Sequence, residues 1–251
     1  MRAYPHKIDQ EILDEHRQSS REMIESSLPG IEEARAQRGA ALIQGFGEEM
    51  RDWAKLCYAY EEPLAEIAAK LRQASAHFAS ALEFDITLDP WEYLQYLTLA
   101  VVVRDTSFAS RLVNEGRQRY TNPNVDGDEL IYLTAEIAAD LAAGRATQLQ
   151  PRISAALTQL QSKRIDRLER LYTEGLVRMA AAMAARDQTA FDQALAAHAK
   201  DFQKRVDRPG ERSRPRSLLD IEGLAFIRFA LDRGLQCRLT SPYLPVDLLG
   251  A

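Results

Sequence analysis

The sequence holds few of the residues on which compact catalytic and metal chemistry depends. Two cysteines, Cys57 and Cys237, and four histidines stand in 251 residues. The cysteines lie far apart with no Cys-x-x-Cys spacing, so neither a disulfide framework nor a structural zinc site is expected. His6, His16, His77 and His198 form no metal-ligand spacing, and each is expected at a surface or in a groove. Long apolar runs are missing too. The longest, Leu97 to Val103, is seven residues interrupted by Thr98, against the roughly 20 that cross a bilayer. The N-terminus begins Met1-Arg2-Ala3-Tyr4-Pro5-His6, without the apolar core of a secretory signal. The expected compartment is therefore the cytoplasm, with both thiols reduced and no membrane partner.

The usual chemical motifs are absent as well. Gly45-Phe46-Gly47 runs into Glu48-Glu49-Met50, which completes neither a dinucleotide fingerprint nor a P-loop. There is no Gly-x-Ser-x-Gly elbow and no His-Glu-x-x-His pair. Asn122-x-Asn124-x-Asp126-Gly127 imitates the start of a calcium loop, but its twelfth position is Leu133 where a bidentate Glu belongs. An Asn/Asp/Gly turn accounts for it. No catalytic, cofactor-binding or metal-binding residue is nominated, no cofactor is expected, and the chain does not read as an enzyme.

What is present is helical periodicity. After Asp187, apolar residues recur at Phe191, Leu195, Phe202 and Val206, the spacing of one helix face. Pro63 opens a stripe of Leu64, Ile67, Ala68 and Leu71, and Asp89 caps a helix that starts at Pro90 and runs from Trp91 to Val103. Asp128 caps Glu129–Ala143, which Gly144 ends. Further helices are expected over 7–27, 31–58, 148–161, 164–185, 187–206 and 217–233. The last is apolar nearly all round and is expected to be buried. Phe84-Asp85-Ile86-Thr87-Leu88 alternates like a strand but has no partner, so it reads as an extended connection. The prolines of Ser241-Pro242-Tyr243-Leu244-Pro245 forbid a helix, so this tail should lie extended over the core. The expected fold is all-α, an irregular array of antiparallel helical hairpins with an extended C-terminal tail, forming one domain over 1–251.

Charge is uneven. The formal net charge is −5, yet residues 1–140 carry −11 and residues 141–251 carry +6. The bases gather at Lys204, Arg205, Arg208, Arg212, Arg214 and Arg216 around Pro209-Gly210, which reads as a solvated loop. An acidic chain without interleaved aromatics makes a poor nucleic-acid binder, so no direct nucleic-acid contact is expected. Seven acids, Glu83, Asp85, Asp89, Glu92, Asp126, Asp128 and Glu129, lie at helix starts and in their loops. Acids there complement the helix dipole. Their functional reading is an acidic surface that captures a basic partner.

Three blocks resemble the immunity protein 49 family, helical antidotes encoded beside bacterial polymorphic toxins. One is the Trp-led apolar run from Trp91 to Val103 with its closing Arg104-Asp105 pair. Another is the stretch Ala190-Phe191-Asp192-Gln193-Ala194-Leu195-Ala196-Ala197-His198. The third combines Gly223-Leu224-Ala225, Asp232-Arg233-Gly234 and the ending Tyr243-Leu244-Pro245-Val246-Asp247-Leu248-Leu249. The resemblance covers about 85–250. It implies a protein that binds and neutralises one cognate toxin without chemistry of its own. With the acidic half, the expected target is a cytosol-acting nuclease-type toxin. Two other readings stay open: a helical-repeat adaptor for peptides or proteins, and a small-molecule-binding bundle.

Overall fold

Asp89 and Pro90 start a helix as their order in the chain dictates. Asp89 Oδ1 accepts a hydrogen bond from the Glu92 amide at 2.7 Å, and Glu92 Oε2 accepts one from the Asp89 amide at 2.9 Å. This reciprocal cap satisfies amides that a helix start leaves open, and Pro90 has none to satisfy. The computed structural model describes residues 1–36, 39–84, 86–116, 129–162 and 165–251, with side chains at 28, 29, 32 and 34–36 left aside. Among the described residues the fold is all-α, ten α-helices with no strand. They are α1 (Gln10–Ala36), α2 (Ala40–Ala59), α3 (Leu64–Ala81), α4 (Pro90–Val102), α5 (Thr106–Glu115), α6 (Glu129–Ala143), α7 (Ala146–Gln159), α8 (Arg167–Ala185), α9 (Gln188–Val206) and α10 (Ile221–Leu231). Short 3-10 turns cover Leu82–Phe84, Pro215–Ser217 and Val246–Gly250.

The helices differ from expectation in four places, one being the second helix, which starts at Ala40 rather than at 31. The first helix runs through Pro29-Gly30 to Ala36, despite the hydrogen bond that an interior proline removes. Helix α5 was not expected; Asp105 starts it by accepting from the Phe108 amide at 3.0 Å. The last helix is shorter than 217–233, since Pro215–Ser217 forms its own 3-10 turn. Of the segment expected to be extended, Phe84 ends a 3-10 turn, Asp85 lies outside the described residues, and 86–88 form neither helix nor strand.

One closing device recurs at five described helix ends. Glu61, Arg104, Gly144, Arg186 and Gly234 adopt positive φ of 54–81°. In each case the next amide reaches back five residues, to Cys57, Ala100, Asp140, Ala182 and Ala230, at 2.8–3.0 Å. This left-handed cap satisfies terminal carbonyls and turns the chain sharply. Glycine fits the position without strain, yet three of the five are Glu or Arg.

The chain forms two compact units and passes between them four times. Unit 1 comprises Met1–Ile86, Val206–Asp220 and Asp247–Ala251. In it α2 packs against both α1 and α3, and Leu13, Leu56, Ala59 and Leu218 form a buried cluster. Unit 2 comprises Thr87–Arg205 and Ile221–Val246. Its centre is the trio α4, α6 and α10, which pack on one another. Nine of the eleven residues of α10 are buried, so it has no solvent face. Around the trio lie α5, α7 and α8. The tail docks through buried Tyr243, whose ring lies 4.9 Å from that of Phe202.

Two expectations about polar side chains are corrected. His6 and His198 are buried at 4% and 2% exposure, not at the surface. His6 Nε2 donates to the Arg212 carbonyl at 2.9 Å, while His198 packs on Gly175. In the basic run Lys204, Arg208, Arg212, Arg214 and Arg216 are exposed, and the exception is Arg205. It is buried, its guanidinium 4.0 Å from the Tyr172 ring centre and 4.4 Å from that of Phe202. Lys204 pairs with Asp201 at 2.7 Å, and Arg216 Nε donates to Glu211 at 2.7 Å.

Candidate interaction site

The nominated acids divide by what holds them. In unit 1, Glu83 is exposed on the 3-10 turn that follows α3. In unit 2, Asp89 and Glu92 are half-buried and form the cap of α4. Glu129 is exposed at the first position of α6 and accepts from Gln159 Nε2 at 2.8 Å. Asp85, Asp126 and Asp128 lie outside the described residues. Of the seven, the structure brings Asp89 and Glu92 into direct contact, and their first task is helix capping.

Sequence reasoning did not single out the other end of the same helices. A hollow of about 970 Å³ opens in unit 2 where α4, α6 and α10 end. Ala100 and Val101 of α4, Leu141 to Ala143 of α6 and Phe229 of α10 line it, with one face of α5 along its side. These three packed helices therefore run in one sense. Their acid-bearing starts point away from the hollow and their ends point into it. Cations favour a helix C-terminus, and four arginines are there: Arg104, Arg145, Arg228 and Arg233.

Their roles differ. Arg233 Nη1 donates to the Phe229 carbonyl at 3.0 Å and Nη2 to the Leu141 carbonyl at 2.8 Å, tying the ends of α10 and α6. Burial pulls its guanidinium below the usual arginine range. Arg228 is only 8% exposed. Burial and then the nearby Arg104 guanidinium lower its pKa as well, with Asp232 opposing them. Arg104 and Arg145 are exposed at the rim, each at or just after a left-handed residue. Two acids share the hollow, Asp232 and Asp105, the second of which caps α5. The only advance signal was the pairing Arg104-Asp105 and Asp232-Arg233, which the sequence places more than a hundred residues apart.

Among the described residues no group of three or more His, Cys, Asp or Glu side chains is placed to hold a metal. No described helix is long and apolar enough to cross a membrane. The family model for immunity protein 49 matches residues 61–248. The chain belongs to the immunity protein 49 family. Membership implies an immunity protein that binds and neutralises a toxin. The match begins earlier than the resemblance at about 85, taking in α3, and it contains every residue of the hollow. Helices α1 and α2 precede it. No curated protein and no solved structure matches the chain.

Proposed function

We propose that the protein neutralises a single cognate, cytosol-acting nuclease-type toxin by covering it with an acidic surface, as a non-enzymatic inhibitor needing no cofactor. The observation that carries the reading is the family match over 61–248. The acidic half supports the nuclease target. A nuclease must present a basic surface to phosphates, and residues 1–140 carry a net −11. Glu83 and Glu129 are exposed and available to such a partner. Asp85, Asp126 and Asp128 extend the same acid-rich segments. The protein works in the cytoplasm and makes no direct contact with nucleic acid.

The partner is identified by capture on the tagged full chain from the source cell's lysate at about 0.15 M salt, a screening regime near physiological, followed by mass spectrometry. One dominant protein with a C-terminal toxin domain is expected. Scattered capture with no toxin among it would favour the adaptor reading. The electrostatic part is then read by association kinetics. Lysine at positions 83, 126, 128 and 129 should slow association and flatten its salt dependence. An unchanged on-rate in Glu83→Lys/Asp126→Lys/Asp128→Lys/Glu129→Lys would sink the acidic-surface mechanism. Asp89 and Glu92 are unsuitable for this test, because reversing them also removes the α4 cap.

A further inference from the structure

We infer that the arginine-lined hollow of unit 2 is a binding site for a small polyanion carrying two or more phosphate or carboxylate groups. Its volume, about 970 Å³, lies at the upper end of the roughly 300–1,000 Å³ typical of small-molecule sites. Its charge selects the ligand. Helix ends carry about half a charge each, negative for the C-termini of α4, α6 and α10 and positive for the N-termini of α5 and α7. Four arginines against Asp105 and Asp232 exceed that balance, which leaves the hollow positive by about one to two charges.

The arrangement of the arginines points the same way. Arg233 answers the carbonyl ends of α6 and α10. Arg228 and Arg104 are like charges held near each other, one of them 8% exposed. An anion in the hollow offsets the repulsion between them. Only a group that enters the hollow reaches Arg228, which favours a compact ligand over a flat protein face. Arg104 is left-handed at φ 59°, the conformation that Gly144 and Gly234 supply at the ends of α6 and α10, so glycine can take its place without altering the turn. Thr106 and Ser110 on α5 add hydroxyl donors to the same wall.

This site stands apart from toxin capture and is tested on the full chain alone. Inorganic pyrophosphate and citrate are the probes, titrated by calorimetry and thermal melting against sodium chloride of equal ionic strength. Saturable binding of at least one probe is expected, with a concentration-dependent rise in Tm. Arg104→Gly should weaken it at least tenfold while leaving the fold intact, and Arg228→Met should weaken it further. Arg186→Gly makes the same backbone change at the end of α8, away from the hollow, and should leave binding unchanged. Pyrophosphate alone would mark a phosphate ligand, citrate alone a carboxylate ligand, and both a site for either. No saturable binding of either probe, or binding that Arg104→Gly leaves unaltered, overturns the inference.

Discussion

Arg186 separates the requirements of a turn from the identity of the residue that makes it. Its backbone is left-handed at φ 54° and its side chain is exposed at the end of α8. A left-handed L-residue is strained by roughly 1–2 kcal/mol, and glycine gives some of that back through a freer unfolded chain. Arg186→Gly should therefore stabilise the protein by about 1 kcal/mol, read as a higher midpoint in urea with an unchanged slope. A loss of stability would mean that the arginine side chain supports the helix end. His6 supplies a second residue-scale prediction. Burial holds its pKa below the ordinary imidazole value, against the favourable Arg212 carbonyl and Asp207 charge. The unfolded chain then takes up the proton first as pH falls below about 6.5, so stability drops on the acid side. Urea midpoints at pH 7 and pH 5 should show this drop, and His6→Gln should reduce it. An equal drop in the variant would place the sensitivity elsewhere.

At the scale of elements, the close approach of α8 and α9 depends on Gly175. A Cβ added there would lie 2.5 Å from His198 Cβ and 2.9 Å from its Cα. Alanine is worth up to about 1 kcal/mol more than glycine in a helix, but overpacking against backbone costs about 1–3 kcal/mol. Gly175→Ala should thus be net destabilising in thermal melts. Adding His198→Ala should not rescue it, because the clashing Cβ and Cα remain. His198 stands in the second block that resembles the family, and its burial gives that block a packing reason. The helices legible in advance were those with a start signal and a full stripe: Asp89-Pro90 announced the start of α4, and the spacing from Phe191 announced α9. Helix α5 escaped because only Phe108, Leu112 and Val113 are buried in it, although its cap, Asp105, stood in plain view. The hollow was illegible for a different reason. Its arginines come from three separate stretches, and only the shared direction of α4, α6 and α10 brings them together.

On the scale of the whole molecule, the charges that follow helix polarity are those around the central trio of unit 2. In unit 2 the acids Asp89, Glu92 and Glu129 sit at helix starts and the arginines at helix ends, as dipoles favour. The proposed anion site therefore lies at the other end of α6 from Glu129, one of the acids proposed to meet a toxin. The family-matched stretch 61–248 contains all of this unit but only part of unit 1. It omits α1 and α2, and with them most of what Val206–Asp220 rests on. Tyr4 Oη donates to the Leu218 carbonyl at 2.9 Å, and the Asp9 amide donates to Ser213 Oγ at 2.8 Å. Leu218 itself clusters with Leu13, Leu56 and Ala59, while α3 buries Leu71 and Phe78 in the unit that α2 centres. Re-exposing a fully buried leucine or phenylalanine costs about 1.5–3 kcal/mol, so three such side chains approach the roughly 5–15 kcal/mol that holds a typical protein folded. A chain cut to 61–248 should lose helix content per residue by circular dichroism and elute as aggregates in size exclusion. If it stays monomeric with native helicity, α1 and α2 are dispensable to the fold, and their acids would then be free to serve recognition alone.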